Sequence, residues 1–209
     1  LSEPNLITTL LFDFDGTLVN TPKFVPQMFV DLKEKLGFSK LDPADFQDFR
    51  DKTMRQLIKQ AGVPVWKLPS LITTFHQEMA QFLSKLEFNP GVEGLLRNLK
   101  KKQFQLGILS SNSQENLEQF LAEKNADYFD FVYSCSSLFG KHRTLAKLFT
   151  DLELNQEHVV YVGDETRDIE ACQKLGVMMA AVDWGLNSNR LLKQYDPDYL
   201  VSSPQELLK

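Results

Sequence analysis

"LLFDFDGTLVN", residues 10–20, is the stretch whose reading decides the fold. Its apolar run ends abruptly in Asp13 and Asp15, one residue apart, with Gly16 and Thr17 following. A short run of this kind suits a strand buried in a sheet, and it extends back through "NLITTLLFDF", residues 5–14. Two carboxylates at the end of such a strand repel each other and are poorly hydrated. Left unpartnered, each raises the pKa of the other.

The rest of the chain says what kind of sheet this strand joins. From about Asn89 onward, short apolar runs alternate with amphipathic stretches. "FQLGILSSN" precedes "QENLEQFLAEK", "FDFVYS" precedes "TLAKLFTDLEL", "HVVYVGD" precedes "TRDIEACQKLG", and "VMMAAVDWG" follows. Strand–helix alternation predicts a parallel sheet covered on both faces, an α/β, Rossmann-like doubly wound core. Residues 21–88 differ. "QMFVDLKEKLG", "ADFQDFRDKTMRQLIKQAG" and "LPSLITTFHQEMAQFLSKL" space their apolar residues as helices do, with breaks at Gly37, Gly62 and Pro69. The pattern predicts an all-helical cap of residues 20–89 inserted into a core of residues 1–19 and 90–209. Asn20-Thr21-Pro22 and Asn89-Pro90-Gly91 form the expected two-strand linker.

A chain of 209 residues can bury a substantial core, as one domain or two small ones. Its formal charge of -5 argues against a nucleic-acid partner, which calls for basic patches to neutralise phosphates. A small anionic ligand is compatible with it, since a few local cations suffice. Cys135 and Cys172 are far apart and lack metal-ligand spacing, so they read as reduced structural thiols of a cytoplasmic protein. No segment approaches the roughly 20 apolar residues of a membrane span. The N-terminal apolar stretch does not read as a signal peptide, because Asp13 and Asp15 interrupt it and no basic region precedes it.

The chemistry lies in where the polar residues fall. Asp13 and Asp15 end the first run, Ser110 and Ser111 the second, and Asp164 and Asp168 follow "VVYVG". "FDFVYS" leads through a loop to Lys141. Strand C-termini of a doubly wound sheet share one edge, where ligands bind, so these residues are expected to converge on one cleft. One lysine is too few charges for so many carboxylates. A hard divalent cation with oxygen ligands, Mg²⁺, is the more economical partner. An ionised aspartate beside Mg²⁺ and lysine can attack phosphorus, because the cations offset the repulsion between two anions.

At these residues the chain resembles a known family. "DFDGTL", the serine of "ILSSN", the loop lysine and "GDETRD" are similar, in that order, to the four motifs of the haloacid dehalogenase-like hydrolases. The helical insert resembles the cap of the phosphoglycolate phosphatase and β-phosphoglucomutase branch. The ending "VDWGLNS…PDYLVSSPQELL" resembles the phosphoglycolate-phosphatase-like group. The resemblance implies that Asp13 is a nucleophile forming an aspartyl-phosphate, its other oxygen on Mg²⁺. It implies that Asp15 protonates the leaving alkoxide and later activates water, while its backbone carbonyl ligates the metal. Asp164 is implied as a direct metal ligand, and Asp168 as holding the metal site through water. Ser110 is implied on the phosphoryl oxygens, and backbone N–H groups near Phe14, Asp15 and Ser111 complete the cradle. Lys141 is implied to stabilise the charge on Asp13 and the phosphoryl group. The resemblance further implies that Gly16 allows a tight turn and that Thr17 supports the loop. An acid at Asp15 argues for oxygen-linked phosphate. The activity so implied is a Mg²⁺-dependent phosphatase of a small phosphorylated metabolite, with phosphoglycolate the resemblance-based choice. A β-phosphoglucomutase-type phosphotransferase and a non-catalytic regulatory protein of the same fold are the alternatives.

A plainer role stands beside several of these. Asp168 also suits an acidic first helical turn favoured by the dipole. Ser110 suits an N-cap, with Ser111 its rival for the phosphate. Lys141 has Arg143 and Lys147 as alternatives, loop lysines being mostly solvated. "DKTMRQ" sets Lys52, Thr53 and Arg55 at a helix start, and Lys52 and Arg55 are the cap's candidate substrate contacts against the default of surface cations. His76 reads as cap packing and Trp184 as structural.

Overall fold

The computed structural model describes residues 6–36, 48–135 and 139–208. β1 (Thr9–Phe12) is followed by α1 (Val25–Leu36), α2 (Met54–Gln60) and α3 (Leu68–Phe82). Then come α4 (Val92–Lys101), β2 (Gln105–Ser110), α5 (Gln114–Glu123), β3 (Phe131–Ser134) and α6 (Lys141–Asp151). The chain closes with β4 (Val159–Gly163), α7 (Thr166–Leu175), β5 (Met178–Val182), α8 (Asn189–Lys193) and β6 (Tyr199–Val201). The strands form one sheet in the order β3-β2-β1-β4-β5-β6, every neighbouring pair parallel. This is the doubly wound α/β architecture that the alternation predicts.

The strands explain why both faces are covered. Successive side chains leave a strand on opposite faces. Leu10, Phe12, Leu106, Ile108, Val162 and Val182 accordingly pack into one core cluster. Their neighbours Leu11, Leu109, Tyr161, Met179 and Ala181 pack into the other. α4 and α5 cover the first face with Leu95, Leu96, Leu99, Leu117 and Phe120. α6, α7 and α8 cover the second with Leu145, Leu148, Ile169 and Leu192. Cys135 and Cys172 are buried within that second cluster.

The segment between β1 and α4 joins the sheet through two adjacent strands of backbone. Asn20 N donates to Glu87 O at 3.0 Å, and Asn89 N donates to Leu18 O at 2.8 Å. A single turn, Phe49–Asp51, precedes extended backbone at Lys52 and Thr53, and α2 then begins at Met54, where "DKTMRQ" sets a helix start. The cause is local. Thr53 Oγ1 accepts from Gln56 N and Gln56 Oε1 accepts from Thr53 N, a capping box that restarts the helix. Pro69 marks a beginning as well as a break, since it sits in the first turn of α3, where a missing N–H costs nothing. Gly37 and residues 44–47 lie outside the described residues. Among the described residues, no helix is long and apolar enough to cross a membrane.

Candidate active site

The strand order reverses beside β1, with β2 on one side and β4 on the other. In open α/β sheets the crevice beyond the strand ends at this switch point is where ligands bind. Asp13 directly follows β1, and Asp164 directly follows β4. Asp13 N donates to Val162 O at 2.8 Å, which continues the ladder one step and pins the two strand ends together. Carboxylate oxygens of Asp13, Asp164 and Asp168 lie within 4.8 Å of one another, all three residues buried. Lys141 opens α6, and its Nζ lies 3.0 Å from Asp13 Oδ1 and 2.5 Å from Asp168 Oδ1. Three stretches remote in sequence thus meet at one point.

Neighbouring groups fix each carboxylate. Asp164 Oδ1 accepts from Thr17 Oγ1 at 2.8 Å, and its Oδ2 from Leu186 N at 2.6 Å. Asp168 Oδ2 accepts from Glu165 N at 3.1 Å, in the first turn of α7. The space is left by glycines. At Gly16, with φ of +83°, a Cβ would stand 2.2 Å from Asp164 Oδ2. At Gly185 the distance would also be 2.2 Å, and at Gly163 a Cβ would stand 2.6 Å from Asp168 Oδ2. Real Cβ contacts do not come so close, and Gly16 adds a left-handed φ that side chains resist.

Charge is the dominant feature of this pocket. Asp13, Asp15, Asp164, Glu165 and Asp168 are buried, with Lys141 and Arg167 as the nearby cations. Burial lifts the Asp13 carboxyl, Lys141 pulls it down and Asp168 pushes it up, leaving it at about 7. Burial first, and then Asp13 and Glu165, drive Asp164 well above the usual carboxylate range. Burial alone would lower Lys141, but Asp13 and Asp168 hold its ammonium above the ordinary lysine value. Among the described residues Asp13 Oδ1 has no hydrogen bond, because Lys141 stands at ion-pair distance but outside hydrogen-bond geometry. Orphaned buried acceptors are rare. An orphaned oxygen among three clustered carboxylates is a donor set that fits a hard divalent cation such as Mg²⁺.

Next to this cluster lies a cavity of about 120 Å³ that Asp15, Ser111, Glu165 and Arg167 line on the sheet side. Asp15 is held at both oxygens: Thr21 Oγ1 donates to Oδ1 at 2.8 Å and Asn112 Nδ2 to Oδ2 at 3.0 Å. Burial raises its carboxyl above the ordinary value, and these two donors oppose the rise. Of the two serines, Ser111 lines the cavity, and its Oγ accepts from Arg167 Nη2 at 3.2 Å. Ser110 is fully buried, its Oγ accepting from Asn112 N at 3.0 Å. The Phe14 ring packs edge-on against Phe120 in the core, so only its backbone is available to a ligand.

Lys52 lines the cavity. Arg55 does not: it is exposed, with its guanidinium 4.7 Å from the centroid of the Phe139 ring. Arg143 and Lys147 are exposed too, and Lys147 pairs with Asp151 on its own helix. His76 also lines the cavity, and its Nε2 donates to Ser111 O at 2.7 Å, tying α3 to the loop after β2. Trp184 Nε1 donates to Thr17 O at 3.1 Å, and Asn89 Nδ2 donates to both Gly16 O and Thr17 O. Sequence reasoning missed Thr21, Asn112 and the Arg167–Glu165 pair. The available signal was slight: Asn112 is a third polar residue after an apolar run, and Arg167 lies between two acids.

A family model for haloacid dehalogenase-like hydrolases matches residues 10–182. The chain is 34% identical over 201 residues to the phosphoglycolate phosphatase of Synechococcus elongatus, covering 96% of this chain and 95% of that protein. It is 27% identical over 207 residues to pyrophosphatase PpaX of Bacillus mycoides, covering 97% and 95% of the two. Its fold matches that of a haloacid dehalogenase-like family hydrolase from Streptococcus pneumoniae, with a TM-score of 0.79 over 97% of each chain at 21% identity.

Proposed function

Because the chain belongs to the haloacid dehalogenase-like hydrolases, we propose that it is a Mg²⁺-dependent phosphatase acting on a small phosphate monoester through an aspartyl-phosphate on Asp13. The observation that carries this reading is the meeting of Asp13, Asp164, Asp168 and Lys141 at the switch point of the sheet. Asp13, Asp164 and Asp168, with the backbone carbonyl of Asp15, would hold the cation. Bound there, Mg²⁺ neutralises clustered carboxylates and phosphoryl oxygens.

The remaining work falls to the chain itself. Lys141 favours the ionised form of Asp13 against the effect of burial and attracts the phosphoryl group. The Asp13 carboxylate attacks phosphorus and the ester P–O bond breaks. Asp15, whose burial favours the protonated form, gives its proton to the leaving alkoxide. Asp15 then takes a proton from water as that water attacks the aspartyl-phosphate, which returns Asp13 and releases inorganic phosphate. Ser111 opens onto the cavity and takes the phosphate-binding hydroxyl role ahead of Ser110. Residues 20–89 act as the cap, opening for exchange and closing to exclude water.

The relative named for phosphoglycolate makes that ester the first to try. A sugar-phosphate mutase is less well supported, since the helices on the far side of the cavity offer mainly hydrocarbon to a ring of hydroxyls. The cytoplasm is the assigned compartment, on the reading of two buried cysteines as reduced structural thiols.

Phosphate release across a panel of phosphate monoesters tests the reading, with Asp13→Asn as the blank. The variant should lower kcat by at least about 10³-fold, as loss of a nucleophile does. EDTA should abolish turnover and added Mg²⁺ restore it. Full activity in chelator would refute the metal's role, and an active Asp13→Asn would refute the covalent route.

A further inference from the structure

The cavity beside Asp15 has two unlike ends. Toward the sheet its walls carry Asp15, Ser111, Glu165 and Arg167. Toward the inserted helices they are Leu57, Ile58, Leu71, Ile72 and Phe75. α2 and α3 therefore direct apolar side chains into open volume instead of only against each other.

A leaving group must occupy that far end when phosphorus faces Asp13. Hydroxyls or carboxylates placed there would give up water for hydrocarbon, a transfer disfavoured without compensating partners. Partners at that end are few. His76 Nε2 already donates to Ser111 O, and Arg167 is paired with Glu165. Among the described residues, Lys52 is the remaining cation on the wall. The whole cavity, its polar end included, is about 120 Å³, smaller than the roughly 150 Å³ of an apolar cavity that accepts benzene, so its apolar end suits only a compact group.

We propose that the physiological substrate is the phosphate monoester of a compact apolar alcohol, a branched alkyl or single-ring group seated against Leu57, Ile58, Leu71, Ile72 and Phe75. The inference rests on the phosphatase reading and narrows its substrate class. It departs from the small phosphoglycolate, whose leaving group carries a carboxylate.

The test is kcat/KM with Mg²⁺ for methyl, propyl and 3-methylbutyl phosphate, with phosphoglycolate alongside. The alkyl series is decisive because leaving-group basicity barely changes along it, whereas aryl esters also leave more easily. Each added carbon should raise kcat/KM about fourfold, so the 3-methylbutyl ester should exceed the methyl ester by about two orders of magnitude. It should also exceed phosphoglycolate. Ile72→Ala should move the optimum to a longer chain. A flat alkyl series with phosphoglycolate preferred overturns this inference and leaves the phosphatase reading intact.

Absence of phosphate release from every ester would overturn the phosphatase reading. Calorimetric titration with methyl- and butylphosphonate then judges the pocket alone. A butyl compound binding about 50-fold more tightly supports an apolar subsite, and equal affinities refute it.

Discussion

Asp15 is gripped at both carboxylate oxygens, by Thr21 and by Asn112, and this sets what a single substitution should do. Asn112→Ala leaves Oδ2 of a buried acid without its donor. Leaving a buried acceptor without its partner costs about 1–3 kcal/mol, and the variant should lose about that much stability in urea melts. It should also lower kcat by about tenfold with KM little changed, because Asp15 is positioned and not removed; wild-type kcat would show that the contact is irrelevant to turnover. The convergence of Asp13, Asp164, Asp168 and Lys141 was legible because each is a charged group set at or beyond the end of an apolar run. Asn112 was not, since an asparagine after a strand is an ordinary turn residue. Ser110 and Ser111 were hard to separate for a different reason: moving one position along a strand turns a side chain to the other face.

At the scale of elements, the site depends on backbone that comes unusually close to carboxylates. Gly185→Ala would set a Cβ 2.2 Å from Asp164 Oδ2, in a loop whose Leu186 N also binds that oxygen. The Asp164 carboxylate must move, so the variant should need at least about tenfold more Mg²⁺ for half-maximal turnover. A Mg²⁺ titration of activity checks this, and an unchanged midpoint would mean that the carboxylate's placement does not govern the metal. β1, β2, β4 and β5 could be read from sequence because strands buried on both faces are nearly continuous apolar runs. β6 escaped that reading: it has three residues at the edge of the sheet, and Tyr199 is 55% exposed. The start of α2 could be read at "DKTMRQ", where Thr53 and Gln56 close a capping box.

For the whole molecule, the clustered acids link stability to pH and to metal. The unfolded Asp13 carboxyl titrates near 3.8 and the folded one at about 7, so between those values the folded chain holds the extra proton. Its stabilising contribution is complete below the lower value and is lost as pH rises through the upper one. Mg²⁺ competes with that proton. The rise in Tm produced by Mg²⁺ over EDTA should therefore grow from pH 5 to pH 8, and Asp13→Asn should flatten the trend. A metal effect that is larger at pH 5 would contradict the sign. The paired crossing of Val19-Asn20 and Glu87-Asn89 has a separate consequence. Both ends of the helical segment leave the sheet at one spot, already bonded to each other. The carboxylate cluster and the apolar wall that α2 and α3 give the cavity thus come from separable stretches of polypeptide, so replacing the stretch between the crossings would change that wall and leave the carboxylates in place.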